Sequence, residues 1–177
     1  MTLLVIYLLL TLILSFMCSL LEATLLSSTS SYIESLDKKG YSPKTVDLAK
    51  DVKQNIDKSI SSILTLNTFA NTMGAAGVGA QAAIIFGSNW QAVIAFILTL
   101  MVLFISEIFP KTVGAIYWRK FIVPAVYIIS FMVKITYPFI FLATFITNAL
   151  QKGRKNEANF SKDEIITIVN MSEKEGV

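Results

Sequence analysis

Four apolar runs separated by polar connections organise this chain. Leu3 to Leu26 is almost unbroken, and about 20 apolar residues suffice to cross the hydrocarbon of a bilayer. It predicts a first spanning helix over 3–27. Ser27 to Lys58 is polar, with Lys38, Lys39, Lys44, Lys50, Lys53 and Lys58 among acidic neighbours. Within it, Val46, Leu48, Ala49, Val52 and Ile56 recur at rough helical spacing behind Ser42-Pro43, a good helix start. A short interfacial helical hairpin turning at Gly40 is expected there. Ile60 to Phe86 is the least apolar of the runs, with Thr65, Asn67, Thr68, Asn71, Thr72, Gly74, Gly77, Gly79 and Gln81. A spanning helix over 60–86 with that content needs protein around it, because lipid satisfies no hydroxyl or amide. Gly87 to Asn89 reads as a tight turn, and a third span is expected over 90–110, broken by Pro110.

The fourth run, Phe121 to Leu150, departs from this pattern. Arg119 and Lys120 precede it, and Lys152, Arg154 and Lys155 follow it. Basic residues mark the inner side of a membrane, so both ends ask to be inside. Lys134 near its centre and prolines at 124 and 138 also suit a straight span poorly. A belt helix over 121–150, lying along the inner interface with Lys134 snorkelling, satisfies both flanks. The same rule places the N-terminus outside and the lysine-rich hairpin in the cytoplasm, with the chain returning inside at Lys111. The apolar start lacks a basic leader and exceeds the usual signal length, so it reads as a retained helix. From Phe160, Ser161-Lys162-Asp163-Glu164 resembles a helix cap ahead of Ile165, Ile166, Ile168, Val169 and Met171. The expected organisation is a membrane domain over 1–158 and an acidic cytosolic amphipathic helix over 159–177.

Composition supports an all-α membrane protein. Of 177 residues, 54% are hydrophobic and 15% charged, against about 25% charged in soluble domains. The net charge of +3 is small, and its basic residues flank apolar runs, which points to membrane orientation instead of nucleic acid. One cysteine, Cys18, excludes a disulfide framework. The absence of histidine removes the commonest general base and transition-metal ligand. No nucleophile–base pair is recognisable, so enzyme activity is not expected.

Two carboxylates inside the apolar runs raise the question of function. Glu22 ends the first run and Glu107 the third, while the other ten acidic residues lie in polar segments. A charge at bilayer depth costs about 3 kcal/mol or more, so such groups face a cavity, a partner or an ion. Ser15, Ser19 and Glu22 share one face of the first helix, and Asn67, Asn71 and Gly74 repeat that spacing on the second. Glu107 lies one turn before Pro110, where freed carbonyls near Ser106 and Glu107 become available to a cation. Hydroxyl, amide, carboxylate and main-chain oxygens are hard ligands, suited to magnesium, calcium or sodium. Serines and asparagines also serve as interhelical hydrogen-bond glue, so a non-transporting scaffold or ion sensor is the alternative. Glu22 can pair with a loop lysine, Lys111 is a candidate partner for Glu107, and Gly74 suits close approach of another backbone.

Ser106-Glu107-Ile108-Phe109-Pro110-Lys111-Thr112 resembles the Gly-Glu-x-x-Pro-Lys-Thr signature of the cyclin-M (CNNM/CorC) transmembrane domain. Leu21-Glu22-Ala23-Thr24 is similar to the family's Ser-Glu-Thr-Ala element, and Asn67-Thr68-Phe69-Ala70-Asn71 to its paired asparagines. Trp90 at the third helix and the closing Glu175-Gly176 also agree. Ser106 stands where the family has glycine, and Leu21 where it has serine. The resemblance implies three spans, cytosolic helices between the first two, a juxtamembrane belt and a homodimer in the inner (plasma) membrane. It implies transport of Mg2+, with sodium a candidate exchange ion and no organic cofactor. Carried over by position, Ser19, Asn71 and Glu107 are the leading metal ligands, supported by Ser15, Asn67 and Glu22. Pro110, Lys111 and Gly74 frame that site. The family's usual nucleotide-sensing CBS pair is not within these residues, so ATP regulation is not among the expectations.

Overall fold

Three helical stretches are long and apolar enough to cross a membrane: Thr2–Ser27, Ile56–Phe86 and Ser88–Phe139. The computed structural model describes residues 1–151, with side chains as far as Phe139. Its elements are α1 (Thr2–Ser27), α2 (Ser30–Glu34), α3 (Pro43–Gln54), α4 (Ile56–Phe86) and α5 (Ser88–Met101). A π-helical turn over Val102–Ile108 follows, then α6 (Phe109–Gln151). All regular structure among the described residues is helical, as expected for an all-α membrane protein. The helix expected over 159–177 lies outside the described residues. Residues from 141 onward form a second unit, of which the described part, to Gln151, is helical.

Several boundaries differ from the sequence expectation. The second span begins at Ile56 instead of residue 60, taking Asp57 and Lys58 into its first turn. Gly87, at φ 87°, makes the turn into α5 alone, so Ser88 and Asn89 are already helical. The break expected at Pro110 is absent. The chain widens into the π turn just before it and continues as helix, with the Phe109 N–H donating to the Phe104 carbonyl five residues back. Proline lacks an N–H and its ring crowds the carbonyl four residues earlier, and a wider turn accommodates both without ending the helix.

The connection expected over 111–120 is helical as well. Non-helical dihedrals occur there only at Tyr117 (φ −104°, ψ 20°), where α6 kinks. The 52 residues from Ser88 to Phe139 would extend roughly 78 Å as straight helix, more than twice the hydrocarbon thickness. Only part of that length can cross.

α1 packs against α4 and the π turn, and α4 packs against α5. The outer surfaces of these helices expose Leu3, Ile6, Leu10, Ile13, Met73, Phe96 and Phe104, as a lipid-facing bundle must. The apolar core is concentrated where α1 ends and α4 begins. Leu21 and Leu25 meet Ile33 of α2, Val46, Ala49 and Val52 of α3, and Ile63 of α4. Ile122, Ala125, Val126, Ile129 and Met132 complete it, spaced three and four residues apart along α6. Each fully buried isoleucine there is worth about 1.5–3 kcal/mol.

The α2–α3 hairpin forms as its sequence suggests. Gly40 supplies the left-handed turn at φ 79°, and Ser42 caps α3 by accepting the Thr45 N–H. Polar contacts tie the hairpin to its neighbours. Lys53 Nζ donates to the Leu25 and Ser28 carbonyls at 3.2 and 2.5 Å, satisfying acceptors at the end of α1. Burial pushes the Lys53 ammonium below the ordinary lysine value. The Thr45 hydroxyl meets the Tyr127 hydroxyl of α6 at 2.6 Å.

Candidate ion-binding site

Six side-chain oxygens and hydroxyls in the described residues are buried without a hydrogen-bond partner. They belong to Ser15, Ser19, Thr24, Asn67, Asn71 and Ser106. An unsatisfied buried polar atom costs about 1–3 kcal/mol, and native proteins hold few of them. Four of the six are residues singled out from sequence. Their concentration in three helices that touch one another is therefore a feature requiring compensation.

Each position follows from helical spacing. Ser15 and Ser19 are four apart on α1 and fully buried. Asn67 and Asn71 are four apart on α4, half-buried, with both Oδ1 atoms out of solvent. Glu107 projects from the π turn, and the Asn71 Nδ2 donates to its Oε1 across 3.4 Å, which leaves Asn71 Oδ1 free. Both residues line a cavity of about 280 Å³ whose remaining wall comes from Ala75 on α4 and from Leu98, Thr99, Val102 and Leu103. Ser15, Ser19 and Asn67 are not in that lining.

Glu22 and Lys111 form an ion pair at 3.2 Å, joining α1 to α6. This corrects the expectation that Lys111 serves Glu107. Glu107 lies within the widened turn and Lys111 beyond it, and the Lys111 side chain reaches α1 instead of its own helix. Glu22 is thereby compensated by a cation of the protein itself. Glu107 has none within ion-pair distance among the described residues.

Gly74 is buried against a side chain, not another backbone: a Cβ there would overlap the Thr11 hydroxyl. Pro110 is fully buried beside the π turn. Two of the six buried oxygens, those of Ser106 and Thr24, lie outside the ligand set expected from sequence; for Ser106 the signal is a hydroxyl beside a carboxylate in an apolar run.

The donor set suits a hard cation. Among the described residues no group of three or more His, Cys, Asp or Glu side chains comes together, so a cation would rely on one carboxylate with neutral oxygens.

Residues 5–177 match the family model described as the cyclin M transmembrane N-terminal domain. The chain belongs to the cyclin M family. It is also similar to proteins named UPF0053. One, sll1254 from Synechocystis sp. (strain ATCC 27184 / PCC 6803 / Kazusa), is 28% identical over 90% of this chain and 45% of its own length. A Haemophilus influenzae UPF0053 protein is 30% identical over 74% of this chain and 31% of its own. The UPF0053 inner membrane protein YfjD of Escherichia coli K12 is 29% identical over 66% and 28%. The chain spans less than half the length of these relatives. It is a multi-pass membrane protein of the cyclin M family.

Proposed function

We propose that this chain carries Mg2+ across the plasma membrane, taking the ion between α1, α4 and the π turn. One observation carries the reading: Glu107 has no cationic partner among the described residues and meets Asn71, while oxygens of Ser15, Ser19, Asn67, Asn71 and Ser106 on α1, α4 and the π turn are buried with no hydrogen-bond partner. Magnesium dehydrates reluctantly and demands six oxygens at about 2.0–2.1 Å, so pre-positioned neutral oxygens help replace its water. Ser19, Asn71 and Glu107 are the principal ligands in this reading, with Ser15 and Asn67 in support. Glu22, already paired with Lys111, holds the helices and stands outside the ligand set. A scaffold whose hydroxyls and amides serve as glue requires them to be bonded across helices; the Asn71 amide nitrogen is, and the oxygens of Ser15, Ser19, Asn67, Asn71 and Ser106 are not.

The remaining features follow the same reading. The N-terminus is outside, the hairpin and C-terminus are cytoplasmic, and sodium is the candidate exchange ion. The part of α6 over 121–150 is the interfacial belt in this reading, which its buried stripe facing the hairpin and its exposed Phe131, Ile135 and Tyr137 support. A homodimer is supported by a groove of about 500 Å³ on α4, whose lining includes Thr68, Phe69, Thr72 and Met73, since the outward hydroxyls of Thr68 and Thr72 on a spanning helix ask for protein contact.

Glu107→Gln tests the assignment, because it keeps shape and removes charge. Mg2+ flux into liposomes should fall roughly 100-fold or more, given that even outer-shell partners of metal ligands are worth 10–100-fold. The fold, read by circular dichroism, should be retained. Wild-type flux from a folded glutamine variant would refute the reading.

A further inference from the structure

A second polar cavity, of about 240 Å³, opens where the end of α3, the start of α4 and the outer part of α6 meet. Asp51, Asn55, Lys58, Ser59, Ser130 and Lys134 supply its polar lining. Some of these groups are occupied. Ser59 Oγ donates to the Val52 carbonyl at 3.0 Å, and Asn55 Nδ2 donates to Asp51 Oδ1 at 2.9 Å. The two ammonium groups are not: neither Lys58 nor Lys134 lies within ion-pair distance of a carboxylate among the described residues. The cavity thus presents two cations and one anion, with Ser130 between them in kind as a neutral hydroxyl.

Its surroundings indicate what covers it. Lys58 stands in the first turn of a spanning helix, and its Nζ lies 5.6 Å from the centroid of the Tyr137 ring. Phe131, Ile135, Tyr137 and Phe139 of α6 are exposed by about half or more. Exposed aromatic rings beside lysines are the usual dress of a membrane–water interface. An apolar surface next to a polar cavity with unpaired cations suits a molecule having acyl chains and a phosphate. Asp51 narrows the choice, because a headgroup ammonium can pair with its carboxylate while the phosphate meets the two lysines.

We propose that this cavity holds the headgroup of an ethanolamine phospholipid, the phosphate taken by Lys58 and Lys134 and the primary ammonium by Asp51. The lipid would fasten the outer part of α6 to the α3–α4 corner. Phosphatidylglycerol satisfies the lysines but offers Asp51 only neutral hydroxyls, a weaker partner than an ammonium. Phosphatidylcholine carries a positive charge but no N–H to donate to the carboxylate. The site is separate from the buried oxygens of the ion pathway and does not depend on their role.

Native mass spectrometry of the delipidated full chain, supplied in turn with phosphatidylethanolamine, phosphatidylglycerol, phosphatidylcholine and inorganic phosphate, tests the proposal. The ethanolamine lipid should be retained best. Lys58→Ala/Lys134→Ala should weaken its retention by about tenfold or more, since each interfacial lysine contributes about a fivefold effect. Lys58→Arg/Lys134→Arg should keep it. Asp51→Asn should abolish the preference for ethanolamine over glycerol headgroups while leaving phospholipid binding itself. Equal retention by wild type and the double alanine variant would overturn the site. Displacement of the lipid by inorganic phosphate alone would overturn its assignment to a lipid. Where the double alanine variant does not fold, Asp51→Asn decides: a lost headgroup preference supports the proposal, and an unchanged one refutes it.

Discussion

Lys111 Nζ lies 3.2 Å from Glu22 Oε2, so the lysine that follows Pro110 is bound to the first helix. The pair supplies a counter-charge to one of the two carboxylates in the apolar runs. The other, Glu107, is left to meet Asn71 and a cavity.

Breaking that pair should destabilise the protein without removing its ion site. Glu22 is 16% exposed and Lys111 44%, so the pair is only partly desolvated. Lys111→Met should therefore cost about 1–2 kcal/mol, between the surface and fully buried limits. Glu22→Gln/Lys111→Met should recover part of the loss, because no unpaired carboxylate remains. Denaturation of both singles and the double in detergent gives the coupling energy. Mg2+-dependent stabilisation should survive in the double variant.

Asn71→Leu separates an ion ligand from interhelical glue. Leucine is similar in size and offers no oxygen. With the amide acting as ligand, the variant should lose its Mg2+-dependent rise in melting temperature, because stabilisation by a ligand follows binding to the folded state. Without metal it should melt close to wild type or higher, since a buried unsatisfied oxygen has been removed. Melting curves with and without Mg2+ check both statements, and an unchanged magnesium shift would remove Asn71 from the site.

Gly74→Ala should destabilise by about 1–3 kcal/mol through overpacking. The added methyl would overlap the Thr11 hydroxyl, which is buried and donates to the Tyr7 carbonyl at 2.6 Å. Thr11→Ala should rescue only part of the loss. Thr11 Cβ itself would stand 2.7 Å from the new methyl, still too near. Thermal denaturation of the two singles and the double decides this.

Cysteines at residues 120 and 153 should both be labelled from the cytoplasmic side alone, in a Cys18→Ala background. The basic flanks of 121–150 motivate this expectation. Labelling of either from outside would make that segment a fourth span.

What the sequence disclosed and what it hid divide along one physical line. Periodicity along a single helix was legible: Ser15 with Ser19 and Asn67 with Asn71 fall on common faces because 3.6 residues make a turn. Run length was enough for three helices able to cross a membrane, and Gly40 for the hairpin turn. Relations between helices were not legible. Nothing local tells Lys111 to reach Glu22, or Gly74 to receive the Thr11 side chain. Pro110 signalled a disturbed hydrogen-bond ladder, but a broken helix and a widened one answer the same missing N–H. The choice depends on what packs around it.

The π turn has a further consequence for how this chain tolerates change. A widened turn holds about one residue more than the α-helix it interrupts, which rotates everything beyond it by about 100°, one residue's share of a turn. Deleting a single residue between Val102 and Ile108 would return the helix to regular phase. Glu107 and Lys111 would then turn together, carrying Lys111 away from Glu22 and Glu107 away from Asn71. The surplus residue acts as a spacer in angle, and the directions in which Glu107 and Lys111 face inside the bundle hang on its being there.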